Sequence, residues 1–422
     1  MNILLIGSGG REHAIATKLA ASPNVRLYAA PSNPGITRVA ETAPINVSER
    51  NEMVAFCHQA EIDLVVIGPE APLAAGLADD LRAASIAVFG PSRVAAQLES
   101  SKGFAKEFMR RHGVPTASFR RFTAAQLDEA VNYLASQSLP IVIKADGLAA
   151  GKGVVVAETH QQALDALVSM LGGKFGEASA SVVIEECMQG EEASIFAITD
   201  GERFLTLAAA QDHKRIGEGD TGENTGGMGA YAPAPIVTDE VLRKTNERII
   251  APVLRGMSAE GMPFVGCLYV GLMIDKSEPK VVEFNARFGD PETQAVLSIL
   301  KGDFAALLQS AARGALRSES IQSVSNGAAC CVVLASQGYP NQYETGKEIH
   351  GTEAAESAGV QVFHAGTAMR NGRLVTSGGR VLGVTGRGAT LAEAIKTSYE
   401  AVAQIEFDGK TYRRDIGAKG LR

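Results

Sequence analysis

The sequence predicts a multidomain α/β and α+β protein that begins with a doubly wound parallel sheet. Three observations carry that expectation. The chain has 422 residues, too many for one ordinary core. Its first hundred residues alternate short apolar runs with helix-like stretches, the pattern of βαβ units. Beyond them the texture changes to closely spaced strands and glycine-rich connections.

Residues 2–6, 25–30, 64–67 and 87–89 read as buried parallel strands, with crossover helices starting near Arg11, Glu49 and Leu73. Gly90-Pro91-Ser92 closes this unit, so the first domain is expected over 1–101. The second is expected over 102–325. Two helices with a strand between them lead to strands at 140–145, 154–157, 181–186, 193–199 and 204–210. The polar, glycine-rich stretch 211–229 is too long for a turn; loops of that length are usually functional or disordered. A helix near 239–257 and strands near 264–274 and 280–284 follow. The third domain, 326–422, has strands at 328–335, 360–365, 373–376 and 380–384. A helix over 390–405 carries Leu391, Ala394, Ile395 and Tyr399 at apolar spacing.

Composition narrows the function. Hydrophobic content is 45%, charged content 21% and net charge −7. That balance argues against nucleic acid or an anionic membrane as partner. No run of about 18 apolar residues exists to span a bilayer, and residues 3–6 are too short for a signal-peptide core. The five cysteines are odd in number and lack a Cys-x-x-Cys, which reads as reduced thiols in a cytoplasmic protein. Cys330 and Cys331 are adjacent and would face opposite sides of a strand.

Gly7-Ser8-Gly9-Gly10 follows a strand and precedes a helix. Glycines there let the backbone approach an anion at the helix N-terminus. As a dinucleotide fingerprint it is defective. Glu12 stands where the third glycine belongs, and Leu27-Tyr28-Ala29-Ala30 offers no acid for a ribose. A small phosphate ligand is favoured over NAD, the remaining reading being a tight turn without ligand. Arg11 and His13 would add charge. Gly68-Pro69-Glu70 and Asn33-Pro34-Gly35 follow two further strands at the same ligand-binding edge.

Lys144-Ala-Asp-Gly147-Leu-Ala-Ala-Gly151-Lys152-Gly153 joins two apolar strands and is not a Walker A motif. Gly147, Gly151 and Gly153 can present N–H groups to phosphates while Lys144 and Lys152 supply charge. Such a loop is expected to close as a lid. Glu283 and Asn285 lie two apart on an apolar strand, so both face one side. A carboxylate and an amide oxygen suit a hard cation that keeps its bonds to substrate phosphates. Arg287-Phe-Gly-Asp290-Pro-Glu292 follows, and an arginine there can hold a carboxylate at two points. Asp212 sits beside Lys214 and Arg215 at the start of the long polar stretch.

Taken in order, these segments resemble the phosphoribosylamine–glycine ligases of the ATP-grasp superfamily. The carriers are Gly7 to His13, Gly68 to Leu73, Ile143 to Gly153, Gln211 to Arg215, Asn224-Thr-Gly-Gly-Met-Gly-Ala-Tyr231 and Glu283 to Glu292. Ser377-Gly-Gly-Arg380-Val381 extends the likeness into the last domain. The resemblance implies an ATP-grasp fold for the second domain, with a lid subdomain over about 115–190. It implies that glycine, 5-phosphoribosylamine and ATP give glycinamide ribonucleotide, ADP and phosphate through a glycyl phosphate. Lys102, Lys144, Arg215 and Asn224 would meet the nucleotide phosphates under the glycine lid. Glu185, Glu186, Cys187 and Met188 would form the adenine-reading linker, and Glu192 would hold the ribose. Glu283 and Asn285 would bind Mg²⁺ or Mn²⁺. Arg287 and Asp290 are chosen for the glycine carboxylate and amine, with Lys144 and Asp212 also placed at the reacting groups. Gly9, Gly10, Arg11, Glu12, His13, Asn33, Gly35, Pro69 and Glu70 would hold the phosphosugar. One departure from the superfamily stands out: strand 267–274 has no acid to add as a metal ligand. The partners are small molecules, with a monomer as the working expectation. The rival readings are another ATP-grasp ligase of different substrate, a dinucleotide oxidoreductase and a nucleotide sensor without catalysis.

Overall fold

The computed structural model describes residues 1–148 and 153–422. Its first sheet is five-stranded and wholly parallel, ordered Glu41–Thr42, Arg26–Ala30, Asn2–Ile6, Leu64–Ile67, Val88–Phe89. The four apolar strands agree with the sequence expectation. The fifth was not expected: two exposed residues carry no apolar signal. Helices Gly10–Ala20 and Arg50–Gln59 fill the expected crossovers. The third crossover starts earlier than expected, at Glu70, and breaks at Gly76 (φ +89°) into Glu70–Ala74 and Leu77–Ala83. Turns 7–9, 31–35 and 68–69 all leave the carboxyl ends of strands, so they gather at one edge of the sheet.

Two antiparallel four-stranded sheets follow. One is ordered Phe119–Thr123, Ser181–Glu186, Ile141–Ala145, Val154–Ala157. Helices Leu127–Ala135 and His160–Leu171 pack on it around Phe122, Leu134, Ile143, Leu167 and Ile184, a core of its own. The other is ordered Phe204–Thr206, Glu191–Asp200, Val265–Asp275, Glu278–Asn285. The strand expected over 204–210 ends at Thr206, and only Ala210 rejoins it, bridging Ser194. The helix expected over 239–257 runs Asp239–Thr245, one π-helical turn, then Ala251–Ala259. Pro252 lies just past the π turn and lacks the N–H that would continue the regular ladder.

The last sheet corrects the reading of residues 211–229 as loop. Its main path is Gln211–Asp212, Gly229–Ala232, Ala328–Ser336, Arg380–Gly388, Gln361–His364. Between the first two strands lies a hairpin, Arg215–Gly217 with Thr221–Asn224. These strands are two to four residues long, and the partner of Gly229–Ala232 lies a hundred residues downstream, so no local periodicity marks them. Cys330 packs into the core of this domain and Cys331 into a different one, which sets the two thiols back to back. That second core spans domains: Ile3, Leu5 and Ile15 share it with Phe196, Phe288, Phe304 and Ala329. All five cysteines are free. No described helix is long and apolar enough to cross a membrane.

Candidate active site

A cleft of about 1360 Å³ opens where the three domains meet. Its lining brings together Lys102, Lys144, Gly153, Glu185, Glu186, Cys187, Met188, Glu192, Asp212, Arg215, Asn224, Glu283, Asn285, Arg287, Asp290, Arg11 and Glu70. Gly9, Gly10, Glu12, His13, Asn33, Gly35, Pro69 and Gly147 do not line it. Gly151 and Lys152 lie outside the described residues.

Lys102 opens helix Lys102–Arg111, whose cap Ser101 accepts a hydrogen bond from Phe104 N. Lys144, on strand Ile141–Ala145, is buried. Its Nζ lies 3.0 Å from Glu185 Oε1 and donates to the Val282 carbonyl at 3.3 Å. The loop after Lys144 is anchored by Asp146. Its carboxylate accepts from Gly103 N at 2.7 Å, Ser101 Oγ at 2.8 Å, Arg121 at 2.8 Å and Ser181 Oγ at 2.6 Å. Gly147 is a glycine for packing: a Cβ there would sit 2.7 Å from the Ala178 Cα.

Glu192 pairs with Lys214. Arg215 sits opposite Asn224 in the hairpin and donates to the Gly222 carbonyl at 2.6 Å. Burial pushes the Asp212 carboxyl up; Lys214 opposes this, while Glu292 and Glu192 add to it.

Glu283 and Asn285 lie opposite Gly271 and Tyr269 in strand register, both facing the cleft. Burial pushes Glu283 up, but Lys214, Lys102, Lys144 and Arg287 outweigh it and hold the carboxyl below its ordinary value. Among the described residues, Glu283 has no hydrogen-bond or ion-pair partner in the protein. The Asn285 amide is best oriented with its nitrogen toward Glu99 Oε1, 3.0 Å, and the Phe284 carbonyl, 3.3 Å. A partnerless carboxylate beside an amide oxygen fits a hard divalent cation. Among the described residues no cluster of three or more His, Cys, Asp or Glu forms a cage. Such an ion would therefore depend on substrate oxygens.

Arg287 is held between two acids, with Nε 3.2 Å from Glu70 Oε2 and Nη2 2.9 Å from Glu99 Oε1. Glu99 also accepts from Ala286 N at 2.7 Å. Asp290 pairs with Arg380 at 3.0 Å and accepts from Gln294 at 2.8 Å. Burial pushes Asp290 up, and Arg380 and Arg11 pull it below its ordinary value.

The first-domain loops make close contacts of their own. Glu12 accepts from Gly9 N at 2.7 Å and pairs with Arg11. A Cβ on Gly7, Gly9 or Gly68 would come within 2.5, 2.7 and 2.3 Å of the Glu12 side chain. These glycines make room for an internal carboxylate. A Cβ on Gly10 would meet Gln294 Nε2 at 2.9 Å. His13 adds no charge: burial pushes it down to about 3, and its Nδ1 accepts from His364 N at 2.8 Å. Asn33 caps its own turn through Gly35 N and Ile36 N, both at 2.9 Å. Gly35 packs under His13, whose Cε1 would lie 2.2 Å from an added Cβ. Pro69 precedes helix Glu70–Ala74 as its cap. Only Arg11 and Glu70 of this group reach the cleft. Arg11 is steadied there by donating to the Phe288 carbonyl at 3.2 Å.

The sequence reading gave no role to Lys106, Glu99, Lys214, Glu292 and Arg380, all on the cleft, although Lys214, Glu292 and Arg380 stand in the motifs it singled out. Lys106 had a signal. It lies four residues after Lys102, inside the buried stripe of Ala105, Phe108 and Met109. Glu292 had none beyond its motif; in the structure it accepts from Tyr269 Oη at 3.0 Å and Ser194 Oγ at 3.3 Å.

Comparison with known proteins accords with this geometry. Three family models match in order: Phosphoribosylglycinamide synthetase N domain over 1–99, ATP-grasp (A) domain over 100–293 and C domain over 329–419. A phosphoribosylamine–glycine ligase of Mesorhizobium japonicum is 53% identical over 418 residues, covering 99% of this chain and 98% of its own length. The crystal structure of a phosphoribosylamine–glycine ligase from Thermotoga maritima superposes with a TM-score of 0.86 at 35% identity, covering 99% of this chain and all of that one. A biotin carboxylase from Campylobacter jejuni shares the fold, with a TM-score of 0.73 at 16% identity, covering 99% and 94% of the two chains.

Proposed function

Since the chain belongs to the phosphoribosylglycinamide synthetase family, we propose that its cleft activates glycine with ATP and passes it to a sugar amine. The protein is an ATP-dependent ligase forming a C–N bond between glycine and phosphoribosylamine in purine biosynthesis. A carboxylate is a poor electrophile because its oxygen leaves badly. Transfer of the γ-phosphoryl group to the glycine carboxylate gives glycyl phosphate and ADP. The amine of 5-phosphoribosylamine then attacks the carbonyl carbon, loses a proton, and phosphate departs. Phosphoryl transfer is largely positioning and charge neutralisation, so the cleft needs cations and no protein nucleophile.

In this reading Lys102, Lys144 and Arg215 meet the triphosphate, and Glu185 to Met188 line the base. Glu283 and Asn285 would hold a divalent ion, Mg²⁺ or Mn²⁺, which when bound would offset negative charge on the phosphates. Arg287 and Asp290 receive the carboxylate and ammonium of glycine, and Arg11 and Glu70 face the phosphosugar. The reading needs no nucleic acid, membrane or second subunit, and free thiols suit the cytoplasm. What carries it is the meeting, in one cleft, of Lys102 and Lys144 with the partnerless Glu283 and the doubly held Arg287. ADP release by the purified chain should require both glycine and phosphoribosylamine. Release that proceeds equally well with another amino acid, or without the amine, would assign a different ligase activity.

A further inference from the structure

Lys106 has no place in the division of labour above. It is 2% exposed, on helix Lys102–Arg111, yet its ammonium borders the cleft. Its Nζ lies 2.8 Å from Glu185 Oε2 and donates to Thr116 Oγ1 at 2.8 Å. Thr116 in turn donates to the Val281 carbonyl at 2.7 Å. Lys144 approaches the other oxygen of the same carboxylate and donates to the next carbonyl, that of Val282. Two buried lysines, one on helix Lys102–Arg111 and one on strand Ile141–Ala145, therefore share one acid and fasten, Lys106 through Thr116, to consecutive residues just before Glu283.

The charge balance of this cluster is the point. Two ammonium groups and one carboxylate leave a surplus of one positive charge. Glu185 Oε1 accepts no aligned hydrogen bond, although Lys144 is 3.0 Å away. Lys144 and Glu185 thus meet as an ion pair without an aligned hydrogen bond, on a carboxylate that Lys106 holds by its other oxygen. Burial pushes Lys106 down to about 8, with Glu185 pulling it back up, as expected of a cation kept in place by its acid. A lone Lys144–Glu185 pair would be neutral and would offer a phosphate far less.

We infer that Lys106 is a positioning residue for ATP: by occupying Glu185 and tying it to the strand of Glu283, it leaves the charge of Lys144 free for the nucleotide. The inference rests on the assignment of this cleft to ATP. It differs from a packing role in one consequence. In a chain that already lacks the Glu185 carboxylate, removing Lys106 should cost ATP binding little.

The test uses the full chain with three variants, Lys106→Met, Glu185→Gln and the double variant. Two readouts are the KM for each substrate and calorimetric binding of a non-hydrolysable ATP analogue with Mg²⁺. In Lys106→Met the KM for ATP and the analogue Kd should rise about tenfold, with the KM values for glycine and phosphoribosylamine within about twofold of the parent. Because Glu185 itself lines the base, the double variant is compared with Glu185→Gln and not with the parent: in that background removing Lys106 should change analogue binding by no more than about threefold. An unchanged ATP KM in Lys106→Met, or an equal loss on removing Lys106 with and without the Glu185 carboxylate, would overturn the inference. If Lys106→Met does not fold, Lys106→Gln takes its place in the same comparison. A parent that binds the analogue but joins no glycine would overturn the ligase reading alone, because the binding comparison is independent of turnover.

Discussion

Asn33 Nδ2 donates 2.8 Å to the carbonyl of His364, joining the first domain to the last across 331 positions of chain. It also donates to the Ser8 carbonyl at 2.7 Å, while its Oδ1 accepts from Gly35 N and Ile36 N. All four hydrogen-bonding positions of the amide are filled by protein.

Asn33→Asp should therefore cost stability. A carboxylate keeps the two acceptor bonds but turns an anion toward two buried carbonyls. The loss should be about 3 kcal/mol, the range for stranded buried polar groups. Urea unfolding at pH 7 measures it, and a change below about 1 kcal/mol would show that the junction opens without strain.

Acid should weaken the same junction. His13 is pushed down to about 3 and His364 to about 4 by burial, with nearby positive charge adding to it; His213 in the last domain is pushed to about 4. Between those values and 6.5 the unfolded chain binds more protons than the folded one. Stability therefore falls as pH drops below 6.5. Each histidine kept neutral at pH 5 contributes a loss of about 2 kcal/mol. His13→Asn retains an acceptor, so its loss between pH 7 and pH 5 should be smaller by about that amount. Equal losses in parent and variant would mean that His13 takes up its proton without unfolding.

Glu283→Ala should remove turnover and leave the fold. No described residue depends on this carboxylate for a hydrogen bond, so the unfolding midpoint should hardly move. Activity at saturating substrates should fall by about 10²–10³, the scale of losing one electrostatic partner of the transferring group. Near-normal activity with an unchanged metal requirement would put the cation elsewhere.

Arg11→Ala should raise the KM for phosphoribosylamine far more than that for ATP. Arg11 enters the cleft from the first domain, whereas Lys102 and Lys144 belong to the second. Equal effects on both would detach the phosphosugar from the first-domain edge.

How much of this was legible beforehand follows from length scale. Strands such as Leu64–Ile67 announce themselves because burial on both faces demands an unbroken apolar run. Gly229–Ala232 does not, because four residues hold no period and its partner lies far away in sequence. Glu283, Asn285 and Arg287 were readable since their chemistry is local. Lys106 and Arg380 were not, because each acts on a residue brought near only by folding. The glycines at 7, 9 and 68 were read as space for a ligand, and the structure gives that space to Glu12. A glycine signals that something approaches closely and says nothing of what it is.

The pairing of Gly229–Ala232 with Ala328–Ser336 bears on how this gene tolerates damage. A premature stop codon near position 325 would remove the neighbour of an inner strand and bare an edge beside Met228 and Tyr231. An unpaired edge of that kind templates self-association. Late truncations should thus behave as aggregation-prone waste for proteases to clear, where a merely appended last domain would have left a working remnant.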